Sequence, residues 1–164
     1  MLFSKRNKLL TKYKILKSAD WNYKNNLGTY STELIIIEDK IIFENALGKP
    51  NLEDTKEALK IIKKIVSLHF KDFKPHYVSD TRNIQGADAE VRKYVAEFHK
   101  NNFIFESISL IGNTFTKALF TMVKNLGIGD FKDWKIYRNE IYCIDEILQG
   151  EVIIGQSQDD TEYG

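Results

Sequence analysis

A single cysteine, Cys143, leaves the 164-residue chain without any internal disulfide. None is needed, because a domain of this length buries roughly two thirds of the surface its unfolded chain exposes. Proline is nearly absent, at two residues, and no low-complexity stretch or solenoid-length repeat occurs, so no interior linker shows. The chain also lacks an excess of one charge. Its net charge of +1 argues against a surface built throughout for nucleic acid or for an anionic membrane, both of which need concentrated positive charge. No apolar run approaches the roughly 20 residues of a membrane helix. Nothing near Met1 joins a basic region, an apolar stretch and a small-residue cleavage site. The expectation is one globular domain in the reducing cytoplasm, with no membrane insertion and no nucleic-acid partner.

Catalytic signatures are equally sparse. Of the three histidines, His69 lies on an apolar helical face, His76 opens a strand and His99 falls near a helix end. None is paired by motif with a cysteine or serine, and His/Cys metal spacing is missing. Cys143 reads as packed in the last helix. Gly127-Ile128-Gly129 has no third glycine for a dinucleotide loop, and Asp88 and Glu90, two apart on a helix, point in different directions. Neither catalysis, metal nor cofactor is predicted.

Order and patterning are plentiful instead. Hydrophobic residues make up 43% and charged residues 29%, an ordinary globular balance. Leu34-Ile35-Ile36-Ile37 and Lys40-Ile41-Ile42-Phe43, split by Glu38-Asp39, predict a tight hairpin. Asn51 caps a helix starting near Leu52, in which Ala58, Leu59, Ile62, Ile65, Val66 and His69 recur at helical spacing, with a lysine stripe on the solvated side. A strand from His76 to Asp80 leads through a polar loop into a helix from about Ala87 to Asn101. A second strand, Ile104 to Ile111, leads through Gly112-Asn113-Thr114 into a helix to about Asn125. Trp134 to Tyr137 then predicts a strand and Glu140 to Leu148 a closing helix. Earlier in the chain, Tyr13 to Leu16 suggests an edge strand, and Trp21 to Gly28 is too polar to assign. This alternation predicts an α/β fold with a single mixed, largely parallel sheet and about four helices packed mainly on one face.

The two strand-to-helix junctions share their chemistry, and polar loops at the carboxyl ends of such strands are where open α/β sheets place ligands or partners. Asp80, Thr81, Arg82, Asn83 and Gly86 follow the first strand; Asn113, Thr114 and Lys117 follow the second. If the strands are neighbours, these residues share one rim. Helix N–H groups would favour an anion there, and Gly86 and Gly112 would let another backbone come close.

The pattern from Leu34 to Leu148 resembles the STAS-like domains related to bacterial anti-sigma-factor antagonists, in particular a stand-alone branch grouped as SpoIIAA-like or STAS/SEC14-type. The resemblance rests on Glu38-Asp39-Lys40-Ile41-Ile42, the helix from Leu52, the segment His76 to Gly86 leading to Glu90-Val91-Arg92, Ile108-Ser109-Leu110-Ile111 before Asn113, and Ile136-Tyr137-Arg138-Asn139-Glu140. It implies a small sheet with helices on one side and a role in protein interaction or ligand sensing without catalysis. Antagonists of that kind carry a phosphorylatable serine at the start of the helix after the first junction. Gly86-Ala87-Asp88-Ala89 stands there instead, with no hydroxyl, and Ser79 and Thr81 do not replace it.

Three readings follow. The leading one is a non-enzymatic regulatory module whose rim docks a protein partner, such as a sensor kinase or sigma-factor regulator, with a homodimer through an open sheet edge as a further arrangement. The alternative is a carrier or sensor of a small apolar or anionic ligand, with Tyr94, Phe98, Phe115 and Met122 around an apolar cavity. The least supported is an enzyme acting on a phosphorylated or carboxylated compound through Asp80 and Arg82. The expected organisation is a basic extension over 1–30, the STAS-like domain over 31–150, and an acidic tail over 151–164.

Overall fold

The computed structural model describes residues 8–9, 11–112, 116, 121 and 134–150. A six-stranded sheet runs in sequence order, β1 (Ile15–Lys24), β2 (Tyr30–Ile37), β3 (Ile41–Gly48), β4 (His76–Ile84), β5 (Ser107–Ile111) and β6 (Trp134–Tyr137). The first two pairings are antiparallel and the remaining three parallel. Three helices are described: α1 (Leu52–His69), α2 (Ala89–Asn102) and α3 (Glu140–Leu148). The predicted helix from Thr114 to Asn125 falls mostly outside the described residues.

Local chemistry explains the first hairpin. Glu38 and Asp39 both take positive φ, 51° and 55°, which gives the two-residue turn a twist matching its strands. Helix α1 starts in a full capping box, in which Asp54 N–H donates to Asn51 Oδ1 at 2.8 Å and Asn51 N–H to Asp54 Oδ2 at 3.0 Å.

Alternation along the strands splits the core into two layers. On one face Trp21, Leu34, Ile36, Ile42, Ile108 and Leu110 meet Leu59, Ile62 and Ile65 of α1 and Phe98 of α2. On the other, Ile37, Ile41, Phe43, Val78 and Ile111 meet Cys143, Ile144 and Ile147 of α3. The closing helix thus lies opposite α1 and α2 and covers the second face of the parallel strands, as buried parallel strands require. Its Asp145 also anchors the segment before β1, accepting from Tyr13 Oη at 2.6 Å and Lys12 Nζ at 2.5 Å.

The edge strand β1 runs from Ile15 to Lys24, well beyond the expected Tyr13 to Leu16. Its register against β2 shifts between Lys17 and Asn22, and most of its side chains stay exposed. A bulged, half-solvated edge has no clean period of two, which is why its sequence shows so little.

Candidate functional site

β4 and β5 are parallel neighbours, with Asp80 opposite Ile111, so the two predicted junctions do open on the same edge. Successive residues leave β4 on opposite faces, however, and the predicted rim divides. Asp80 and Arg82 turn toward α3. Arg82 Nε donates to Asp80 Oδ1 at 2.9 Å, and Nη2 donates to Asp80 Oδ2 at 2.7 Å and to Glu140 Oε2 at 2.8 Å. The aspartate and glutamate side chains are 9% and 10% exposed and the arginine 25%, so this cluster is an internal clip between β4 and α3. Both carboxylates hold the guanidinium pKa above its usual value, Asp80 contributing most.

Thr81 turns the other way. Its hydroxyl donates to the Ile111 carbonyl at 2.9 Å and lies 2.6 Å from Thr116 Oγ1. Asn83 is exposed. The two glycines serve different ends. A Cβ on Gly112 would sit 1.9 Å from Thr116 Oγ1, so that glycine admits a side chain, whereas Gly86 faces open space and is required by its φ of 137°. The anion-favouring start of α2 is occupied by Asp88, paired with Lys49 at 3.0 Å. Asn113, Thr114 and Lys117 lie outside the described residues.

On the α1 and α2 side of the sheet is a cavity of about 150 Å3. Its floor is Glu44, Tyr77, Ser79 and Thr81 from β3 and β4, with Tyr30 beside them. Its walls include Pro50, Ala58 and Leu59 on one side and Val91, Val95, Ala96 and His99 of α2 on the other. The cavity reaches α2 at Val91, Val95, Ala96 and His99. The predicted lining pair Tyr94 and Phe98 belongs instead to the packed core, and Phe115 and Met122 fall outside the described residues.

Glu44 is the residue the sequence reading missed. It is 7% exposed. Oε1 accepts from Thr32 Oγ1 at 2.9 Å, and Oε2 accepts from Tyr77 Oη and from Ser79 Oγ at 2.8 Å. Three strands supply these groups at one phase of the pleat, since Glu44 pairs with Leu34 on one side and Ser79 on the other. The signal was present in Ile42-Phe43-Glu44-Asn45-Ala46, where the period of two sets an acid in line with Ile42 and Ala46 on the core side. Burial, followed by the Glu44 charge, raises the Tyr77 and Tyr30 phenols far above their ordinary range, so both stay protonated.

His99 packs among Tyr77, Phe98 and Phe105, with ring centroids 6.2, 5.3 and 5.8 Å away. Burial lowers its pKa from 6.5 to about 4. The unfolded chain therefore binds a proton between those values that the folded chain refuses, and stability falls as the pH drops through that window. From pH 7.5 to pH 5 the expected loss is about 2 kcal/mol. His76, also lowered by burial, acts in the same direction. Urea midpoints across this range should fall much less in His99→Phe; an unchanged pH slope in that variant would remove His99 as the cause.

No family model matches the chain, and no curated protein matches it. Among solved structures, an uncharacterized protein of the DUF3478 family from Shewanella loihica PV-4, described as having a SpoIIAA-like fold, superposes with a TM-score of 0.52. The two share 16% identity over 75% of this chain and 97% of that one. The fold is SpoIIAA-like. In this SpoIIAA-like domain the clip and the cavity lie on opposite faces of the sheet. Among the described residues, no helix is long and apolar enough to cross a membrane, and no group of His, Cys, Asp and Glu is arranged to hold a metal ion. Cys143 is fully buried, its thiol pushed up to about 12 by burial, which makes it a poor nucleophile.

Proposed function

We propose that this chain is a non-catalytic sensor module that takes a small, largely apolar molecule into the cavity between the sheet and helices α1 and α2. The observation that supports it is the cavity itself, with apolar walls on three elements and hydrogen-bonded polar groups grouped on its floor. That is the composition of small-molecule sites, in which a few placed polar groups orient a mostly apolar ligand. The fold is consistent with a regulatory module, and occupancy has a route outward. Ala87 and Arg92 line the cavity at the start of α2, next to the exposed run Asp88-Ala89-Glu90 and to exposed Asn83. This surface is where a protein partner would read the state of the module.

Ala96 is 1% exposed and lines the cavity from α2. In Ala96→Leu three added carbons occupy the space, and cavity filling of this kind usually preserves or raises stability. Native mass spectrometry should show the unmodified protein retaining a small molecule, or taking up toluene, and Ala96→Leu doing neither while still unfolding cooperatively. A bare chain in both proteins, even in saturating toluene, would refute the reading.

A further inference from the structure

Among the described residues, the carboxylate on the cavity floor meets no cation. All its donors are hydroxyls, and among the described residues it forms no salt bridge. A buried acid without a cation is expensive, because Coulomb attraction is the chief repayment for lost hydration. A carboxylate also offers about four lone-pair positions. Oε2 receives two donors and Oε1 one, so Oε1 keeps a position for one more. Much of the remaining wall is hydrocarbon, including Leu59, Val95 and Leu110, with Thr55 the further hydroxyl in it. His99 is held neutral by its surroundings and supplies no positive charge at neutral pH. Arg92 also lines the cavity, at the start of α2, where Nη1 donates to the Ala87 carbonyl at 2.6 Å.

We infer, building on the cavity reading above, that the ligand is a small aromatic or branched aliphatic primary amine whose ammonium group donates to Glu44 Oε1. A cavity of about 150 Å3 accepts a molecule near the size of benzene. A hydrocarbon of that size would leave Oε1 unused. A carboxylic acid would bring a second negative charge toward Glu44 in a low-dielectric space, and could be received only by pointing toward Arg92. The amine supplies a further donor and a positive charge to Glu44 Oε1, neither of which the described residues bring to that atom, and charge-assisted hydrogen bonds are about twice as strong as neutral ones.

Four probes of nearly equal size separate these possibilities: benzylamine, benzyl alcohol, toluene and benzoate, each titrated calorimetrically into the full chain at pH 7. Benzylamine should bind tightest, by on the order of tenfold over toluene, with benzyl alcohol between them and benzoate weakest. In Glu44→Gln, which keeps the side-chain shape, benzylamine should lose its advantage while toluene still binds. Benzoate matching benzylamine, or an undiminished preference for benzylamine in Glu44→Gln, would overturn the assignment while leaving the cavity intact as a site. Failure of every probe, toluene included, would instead remove the cavity reading on which it rests. Should Glu44→Gln not fold, the order of the four affinities in the unmodified protein still decides.

Discussion

Arg82→Ala is expected to lower the stability of the protein by about 3 kcal/mol, at the lower end of what breaking a buried ion pair costs because the arginine keeps some contact with water. The guanidinium makes two bonds to Asp80 and one to Glu140. Removing it leaves two nearly buried carboxylates facing one another with their shared cation gone, so the loss combines desolvation with like-charge repulsion. Arg82→Lys should recover only part of it, since a point charge cannot reproduce the fork that meets Asp80 through Nε and Nη2 together. Urea unfolding of both variants measures the difference. A loss below about 1 kcal/mol for the alanine variant, the range of exposed pairs, would show that the clip contributes no more than a surface ion pair.

The same geometry changes how the rim has to be tested. Arg82→Glu would gather three carboxylates between β4 and α3, and any partner lost with it would report unfolding rather than a missing contact. Asn83, one residue further along, is exposed and serves as the position for a docking variant. Thr81 is unsuitable because its hydroxyl ties β4 to the end of β5 through the Ile111 carbonyl.

Much of the frame was legible in the chain because its determinants are local. The Glu38-Asp39 turn, the Asn51 cap with Asp54 three residues on, and the apolar stripe of α1 each act within a few residues, and the structure has all of them. The strand-loop-helix order left adjacency of β4 and β5 as a condition, which the parallel pairing of the two strands meets. What escaped depends on distant partners or on a broken period. Arg82 looked like a recognition residue because Glu140, the acid that completes its clip, is 58 positions away. Glu44 went unnoticed because the strand was ended at Phe43, whereas β3 continues to Gly48 and the donors to its carboxylate come from β2 and β4. The α2 lining of the cavity shifted from Tyr94 and Phe98 to Val91, Val95 and Ala96 because large aromatics fill the core, while smaller side chains leave space. β1 was under-read because its register slips between Lys17 and Asn22.

Gly48→Ala should be more damaging still, at about 4 kcal/mol, which for a chain of this size corresponds to a fall in Tm of roughly 8–16 °C. Gly48 has a φ of 95°, and a Cβ there would stand 2.0 Å from the Thr29 carbonyl oxygen. The obstacle is backbone that cannot swing aside, because that same oxygen accepts from Lys49 N–H at 3.1 Å. Nor can Gly48 retreat, since its own carbonyl accepts from Gln85 N–H at 3.0 Å on the β4 side. Gly28→Ala provides the comparison. Its φ of 69° imposes a similar left-handed strain, yet the nearest atom to its Cβ is the mobile Lys24 Cε at 3.9 Å, so only the conformational cost of about 1–2 kcal/mol remains. Thermal unfolding of the two variants separates strain from collision, and equal losses would remove the close approach as a cause. The consequence reaches the cavity, because Pro50, two residues beyond Gly48, forms part of its wall and Asn51 caps α1. A Gly48→Ala protein that still folds is therefore expected to bind toluene more weakly than Gly28→Ala does, since displacing β3 moves the wall that encloses the ligand.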